Sequence, residues 1–135
     1  MKNRLPILVA LVVLSLFVSA CSAGAKLNGN AWELTAINGS APISGTNVSL
    51  SFDEDGVAGS AGCNRYFGSY EVDGKKLSFG PLGSTRMACS EPEGVMEQEM
   101  RFLTLLGAAE GYKVKNGVLT ITTAAGDTLT FAAEK

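Results

Sequence analysis

The sequence contains no histidine, and this absence narrows what the protein can do. None of its 135 residues is a His. Histidine is the usual general base near neutral pH and the commonest transition-metal ligand. Ser-His-Asp and Cys-His catalytic arrangements are therefore excluded. We accordingly expect a protein that is not an enzyme and that needs no cofactor and no metal.

Long apolar runs are also absent, except at the start of the chain. An apolar stretch spans residues 6–18 and follows a short basic head that contains Lys2 and Arg4. This run is shorter than the ~20 apolar residues of a membrane-spanning helix. A basic head, a short apolar run and small residues before a cleavage point are typical of a secretory signal peptide. We predict a signal peptide over residues 1–20.

Cys21 directly follows Val18-Ser19-Ala20, and this stretch resembles the lipobox of bacterial lipoproteins. The resemblance implies a lipid on Cys21 and, with Ser22 next, the outer membrane facing the periplasm. The alternative is an ordinary cut near Ala20 that leaves a free thiol. We expect a flexible tether over residues 21–30 and one domain over residues 31–135.

Positive charge is scarce once the signal peptide is removed. Lys2 and Arg4 belong to it, so the 11 basic residues become 9 against 13 acidic ones, a net charge of −4. This balance argues against nucleic acid as a partner. We expect a monomer that reaches the membrane through Cys21 and binds an unknown envelope protein or glycan.

Only three cysteines are present, and two remain after Cys21 is assigned to the lipid. A pair in an exported chain, here Cys63 and Cys89, usually forms a disulfide. Such a bridge would contribute about 3.5 kcal/mol on the chain-entropy model. Two buried free thiols are the alternative, and a metal site is less favoured without histidine.

Apolar and polar residues alternate along most of the chain after residue 31. Val48, Leu50 and Phe52 alternate with serines and one asparagine, and turn dipeptides occur at Asp73-Gly74 and Asn116-Gly117. Both features are typical of antiparallel strands joined by hairpins. We predict an α+β fold that is mainly antiparallel β. It would be a curved sheet or half-barrel of about 7–8 strands with one helix packed on it.

The helix is predicted from a segment that breaks this alternation. Ser90 and Glu93 fit a capping box, which predicts a helix of roughly 14–17 residues beginning there. Four apolar residues recur at helical spacing and are interpreted as its core face, namely Met96, Met100, Leu103 and Leu106.

Two segments rich in polar residues flank the cysteines, and a disulfide would bring them together. They supply a candidate binding patch for a carboxylate, a phosphate or a peptide terminus. The patch comprises Asn64, Arg65, Tyr66 and Arg86. The alternative, which we favour, is structural: Asn64 satisfies loop backbone groups while one arginine pairs with an acid such as Glu71.

These segments, with the spacing around them, resemble the signature of the META-domain family of bacterial envelope proteins. The matching residues are Trp32-x-Leu34, Leu50-x-Phe52, Gly56, Gly59-x-x-Gly62-Cys63-Asn64-Arg65, Gly68-x-Tyr70, Leu77-x-Phe79, Thr85-Arg86-Met87-Ala88-Cys89, the glutamates before Phe102, Tyr112, Leu119-x-Ile121 and Leu129-x-Phe131. The resemblance implies a small β domain with one helix, an envelope location and, for some members, links to stress tolerance, antibiotic resistance or secretion. It supplies no active site.

Three functions follow as hypotheses. The leading one is a non-enzymatic outer-membrane lipoprotein that supports envelope integrity or stress and antibiotic tolerance by binding an envelope partner. The second is an inhibitor of an envelope protease or lysozyme. The third is a pilot lipoprotein for secretion machinery, which an uncovered apolar groove beside Phe79 and Leu103 would support.

Overall fold

The computed structural model describes residues 27–135. The predicted signal peptide (1–20), the lipidation at Cys21 and most of the predicted tether lie outside the described residues. The domain nevertheless begins before residue 31, because Leu27 is fully buried and Asn28 bridges to Phe52. Within residues 27–135, no helix has the length and apolarity required to cross a membrane.

The described residues form one sheet of ten strands and one α-helix, in place of the 7–8 strands predicted. The strands are β1 Ala31–Ile37, β2 Ser49–Phe52, β3 Val57–Ser60, β4 Arg65–Gly68, β5 Tyr70–Asp73, β6 Lys76–Phe79, β7 Gly83–Ser84, β8 Ala109–Lys115, β9 Val118–Thr123 and β10 Thr128–Ala133, and α1 is Val95–Gly107. The additional strands are short. β7 has two residues and no alternation to reveal it, while β4 and β5 divide one predicted strand at Ser69.

The sheet is antiparallel and curls into a half-barrel. Its order is β5-β6-β8-β9-β10-β1-β2-β3-β4-β7, so β4 and β5 lie near opposite edges. Only Ser69 separates these two strands along the chain, which forces the two edges toward each other. Across this junction Phe52 and Tyr70 make an edge-to-face ring contact with centroids 4.9 Å apart.

The apolar core fills the inside of the curled sheet, beneath the helix. Inward residues of β1, β2, β9 and β10 supply nine of its 19 buried residues, including Leu34, Leu50, Leu119 and Phe131. The ring of Phe102 on α1 packs edge-to-face on Phe131, with centroids 6.3 Å apart. The helix therefore closes the open side of the half-barrel.

The helix differs from its prediction in both start and orientation. It begins after Gly94, which has a left-handed φ of 83° and makes no side-chain cap, so Ser90 and Glu93 form no capping box. Its buried face comprises Val95, Gln98, Glu99, Phe102 and Leu106. Met100 is 66 % exposed, and the interpretation of a Met96/Met100 core stripe is wrong because polar residues take that place.

Gly59 allows β2 and β3 to approach closely. A Cβ at this position would lie 2.0 Å from the Ser49 carbonyl oxygen and 3.0 Å from the Tyr66 hydroxyl. No side chain fits there, and the close neighbour is strand backbone. Gly59 is thus required for the close packing of β2 on β3.

Candidate functional site

The predicted disulfide joins Cys63 and Cys89, with an S–S distance of 1.99 Å and Cα atoms 6.0 Å apart. It connects the turn between β3 and β4 to the segment between β7 and α1. The two polar segments singled out in the sequence are therefore neighbours.

Asn64 holds the same two segments together by hydrogen bonds. Its Oδ1 accepts from Thr85 Oγ1 at 2.9 Å and from the Met87 N–H at 2.6 Å. Its Nδ2 donates to the Met87 carbonyl at 3.1 Å and to Glu99 Oε1 at 2.6 Å. Only 3 % of Asn64 is exposed, so every polar atom of its side chain is used within the protein.

Glu99 on α1 supplies the carboxylate that completes this arrangement. Its Oε2 accepts from the backbone N–H groups of Cys63 at 2.9 Å and Asn64 at 2.7 Å. These donors belong to a turn and have no ladder partner there, so the carboxylate satisfies them. We call the set Asn64, Thr85, Met87 and Glu99 the latch, because it fastens both segments to the helix.

Gln98 plays a comparable part for a different loop. Its Oε1 accepts from the Ile43 N–H at 2.6 Å, and its Nε2 donates to Thr46 Oγ1 at 3.0 Å. The two buried polar residues of α1 thus anchor loops on both sides of the helix. This explains why a polar pair takes the place of apolar residues on the buried face.

The other members of the predicted patch are divided between interior and surface. Tyr66 is buried, donates its hydroxyl to the Ser49 carbonyl at 2.7 Å, and packs on Phe102. Burial raises the pKa of the Tyr66 hydroxyl far above its ordinary value. Arg65 and Arg86 are exposed. Neither guanidinium makes an ion pair with any residue in 27–135, so the expected pairing with an acid such as Glu71 is not seen.

An apolar groove lies beside the latch, between α1 and the segment that enters β7. It has a volume of about 500 Å³ and is lined by Leu82, Met96, Glu99, Met100, Leu103 and Thr104. Phe67, 60 % exposed, lies on the opposite face of the sheet from Leu82, where its ring covers the backbone at Gly83. The side chain of Met87, whose backbone belongs to the latch, is 57 % exposed.

Acidic residues build no metal site in the part of the chain that the structure describes, where no group of three or more metal-ligating side chains converges. The acidic turn at 53–56 is held by Asp53 Oδ1, which accepts from the N–H groups of Asp55 at 2.8 Å and Gly56 at 2.9 Å. It is the hairpin turn between β2 and β3.

Comparison with protein families supplies the identity of this fold. The META-domain model matches residues 25–135, which include the latch, the disulfide and the groove. The chain belongs to the META-domain family. All four residues of the latch therefore lie within the META domain.

Solved structures agree with this assignment. A protein from Burkholderia xenovorans, determined by NMR, is 32 % identical over 84 % of this chain and 87 % of its own, with a TM-score of 0.69. A second NMR structure is 26 % identical over 80 % of this chain and 92 % of its own, with a TM-score of 0.65. A DUF4847 family protein from Bacteroides vulgatus, 16 % identical over 81 % of this chain and 95 % of its own, shares the fold with a TM-score of 0.58. Curated proteins give no match.

The residue that sequence reasoning missed is Glu99. In the sequence it is one of several glutamates that precede Phe102, and it was not among the candidate site residues. Its signal was its position three residues before Phe102, which places both on one face of the helix. In this META domain, Glu99 is the member of the latch that joins the helix to the sheet.

Proposed function

We propose that this META-domain protein is a non-enzymatic lipoprotein of the bacterial envelope that binds a partner protein through the groove beside the latch. The supporting observation is that groove. Its lining is mainly apolar and includes Met100, which is 66 % exposed. Exposed apolar patches of this kind are typical of interaction sites.

The polar chemistry of the motif supports binding rather than catalysis. Asn64 and Glu99 use their polar atoms on each other and on loop backbone, and Thr85 uses its hydroxyl there as well. These side chains have no free group to offer a substrate. With no histidine in the chain, the geometry favours a rigid support for a binding surface.

The lipid on Cys21 and the outer-membrane location, which rest on the lipobox resemblance, complete the proposal. Anchored to the membrane, the domain would hold its partner at the envelope and so support envelope integrity or stress and antibiotic tolerance. A pilot lipoprotein for secretion machinery would be one form of this activity. For that form a groove beside Phe79 and Leu103 is expected, and the observed groove is lined by Leu103 but not by Phe79.

A strain that lacks the chain tests the proposal, with complementation by variants. We expect greater sensitivity to heat or antibiotics, restored by the wild type but not by Cys21→Ser or Met100→Glu. Arg101→Glu is the matched control, because Arg101 is also exposed, is adjacent on α1 and undergoes a larger change of charge. Unchanged sensitivity in the deletion strain, or full rescue by Met100→Glu, would contradict the proposal.

An envelope hydrolase inhibitor is the second candidate, favoured by the segment from Thr85 to Ala88. Its residues are exposed, yet the latch and the Cys63–Cys89 disulfide hold it in place. A rigid exposed loop loses little entropy on binding, which suits inhibition. Soluble protein should then inhibit an envelope protease or lysozyme in a panel, and no effect at micromolar concentration would eliminate this candidate.

A further inference from the structure

The groove is bordered by an unprotected sheet edge, and this identifies the chemistry of a partner. We propose that the groove binds an extended, apolar peptide segment with acidic side chains, which adds as a strand to the free edge of β7. This inference rests on the proposed function and deepens it. It names the form and charge of the partner segment.

The backbone of β7 is available on one side. β7 pairs with β4 and is the last strand of the sheet. The Thr85 N–H donates to the Arg65 carbonyl at 2.9 Å, toward β4. Because backbone groups of successive residues point to alternate sides of a strand, the N–H and C=O of Ser84 point away from β4. Unpaired groups on such an edge can pair with another chain.

The two edges of the sheet differ in their protection. β5, at the opposite edge, carries the exposed carboxylates of Glu71 and Asp73. Charged side chains on an edge strand normally discourage pairing with another chain. β7 consists of Gly83 and Ser84 and has no charge of its own. An added strand is therefore favoured at β7 and opposed at β5.

The groove is placed to receive alternate side chains of the added strand. Leu82 immediately precedes β7, while Met96, Met100 and Leu103 lie across from it on α1. Its volume of about 500 Å³ is within the range of about 300–1,000 Å³ that is usual for ligand sites. Methionine side chains adapt to varied apolar shapes, so the groove suits a run of apolar residues.

The charge of the partner follows from the arginines near β7. Arg65 lies opposite Thr85, and Arg86 is the next residue along the chain. Both are exposed, and within residues 27–135 neither has an ion-pair partner. A guanidinium readily binds a carboxylate in a two-pronged geometry. Acidic residues in the partner segment would supply these carboxylates.

The test selects peptides from a displayed random library against the full chain carrying Cys21→Ser, followed by synthesis of the selected peptides. We expect sequences that alternate apolar residues and contain Asp or Glu, and NMR shifts on binding at the Ser84 amide and the Met100 methyl. No selected binder, or binders that are basic, helical or located elsewhere, would overturn the proposal.

Backbone pairing is tested by changes in the peptide and, separately, in the protein. N-methylation of alternate peptide amides should weaken binding about tenfold or more in one register and little in the other. Ser84→Pro removes the edge donor and is tolerated where the N–H faces solvent. It should weaken binding to a similar extent. Equal affinity for methylated and unmethylated peptides would exclude strand addition.

A separate variant tests the preference of the groove for acidic peptides. Arg65→Glu combined with Arg86→Glu should reverse the preference, so that peptides with Lys in place of Asp bind more tightly. Arg101→Glu is the control and should leave the preference unchanged. If a partner binds through Met100 in cells and its binding is unaffected by Ser84→Pro, the proposed function stands and only the inference of strand addition is refuted.

Discussion

Glu99 Oε1 lies 2.6 Å from Asn64 Nδ2, and this contact joins the only described helix to the turn that carries the first cysteine of the motif. Through Oε2 the same carboxylate also binds two backbone N–H groups of that turn. The sulfur bridge and the latch therefore act on the same segments. The latch positions β7 and α1 on the two sides of the groove.

The first prediction concerns the carboxylate. Glu99→Gln should lower the free energy of unfolding by about 1.5–3 kcal/mol, since hydrogen bonds to a charged acceptor are lost from buried donors. Urea unfolding measures this change. Glu97→Gln, an exposed change on the same helix, should stay within about 0.5 kcal/mol of the wild type. Equal effects of the two substitutions would show that Glu99 is not an anchor.

The second prediction concerns Asn64, the partner of Glu99, and replaces its hydrogen-bond donor by an acceptor. Asn64→Asp preserves shape but removes the donors to Glu99 and Met87, and it sets two buried carboxylates together. We expect a loss of more than about 3 kcal/mol in the free energy of unfolding. Asn47→Asp, in an exposed loop, is the control. An Asn64→Asp protein as stable as the control would refute the hydrogen-bond assignment.

The third prediction concerns the disulfide. Replacing both Cys63 and Cys89 by Ser should cost about 2–4 kcal/mol of unfolding free energy. The bridge and Glu99 hold the same segments. A double-mutant cycle that combines the loss of the bridge with Glu99→Gln should therefore show a coupling of about 0.5–3 kcal/mol between their effects on the unfolding free energy. Strict additivity in denaturant unfolding would indicate that the bridge and the latch act independently.

The fourth prediction is a fall in stability at alkaline pH. Burial raises the pKa of Tyr66 in the folded state, while the unfolded side chain titrates near its ordinary value of about 10. Above about pH 10 the folded state keeps a proton that the unfolded state releases, so stability decreases as pH rises. Burial raises the pKa of Tyr112 also, which adds to the decline.

Tyr66→Phe separates these effects. At about pH 7 it should cost about 0.5–1.5 kcal/mol, since the hydrogen bond to the Ser49 carbonyl is lost. Its stability should then fall less steeply than that of the wild type between about pH 9 and 11. Tyr70→Phe, which loses a hydroxyl contact to Asp53 but leaves Tyr66 in place, should keep the full decline. Parallel pH profiles for wild type and Tyr66→Phe would contradict the assignment.

Much of the fold followed from the sequence because strand alternation and turn dipeptides are local signals. Val48, Leu50 and Phe52 point inward as predicted, and the bond between Cys63 and Cys89 is present. β7 could not be predicted. Its two residues have no periodicity, and it exists because Asn64 and the disulfide hold the chain against β4.

The helix face was misassigned for a related physical reason. Hydrophobic periodicity assumes that buried positions are apolar, and it therefore selected Met96 and Met100. In the structure Gln98 and Glu99 are buried because they hydrogen-bond to loop backbone from distant parts of the chain. Such long-range partners leave no local signal in the sequence. As a consequence, apolar methionines were left on the surface to line the groove.

The central claim, that the groove binds an envelope protein, is tested most directly by photo-crosslinking in cells. A photoreactive amino acid is placed at Met100 in the full-length chain, with Val118 on β9, 39 % exposed, as the matched exposed apolar control. We predict one discrete protein adduct from position 100 that is absent at position 118 and is lost on adding Met96→Glu. No adduct at position 100, or the same adducts at both positions, would contradict the account.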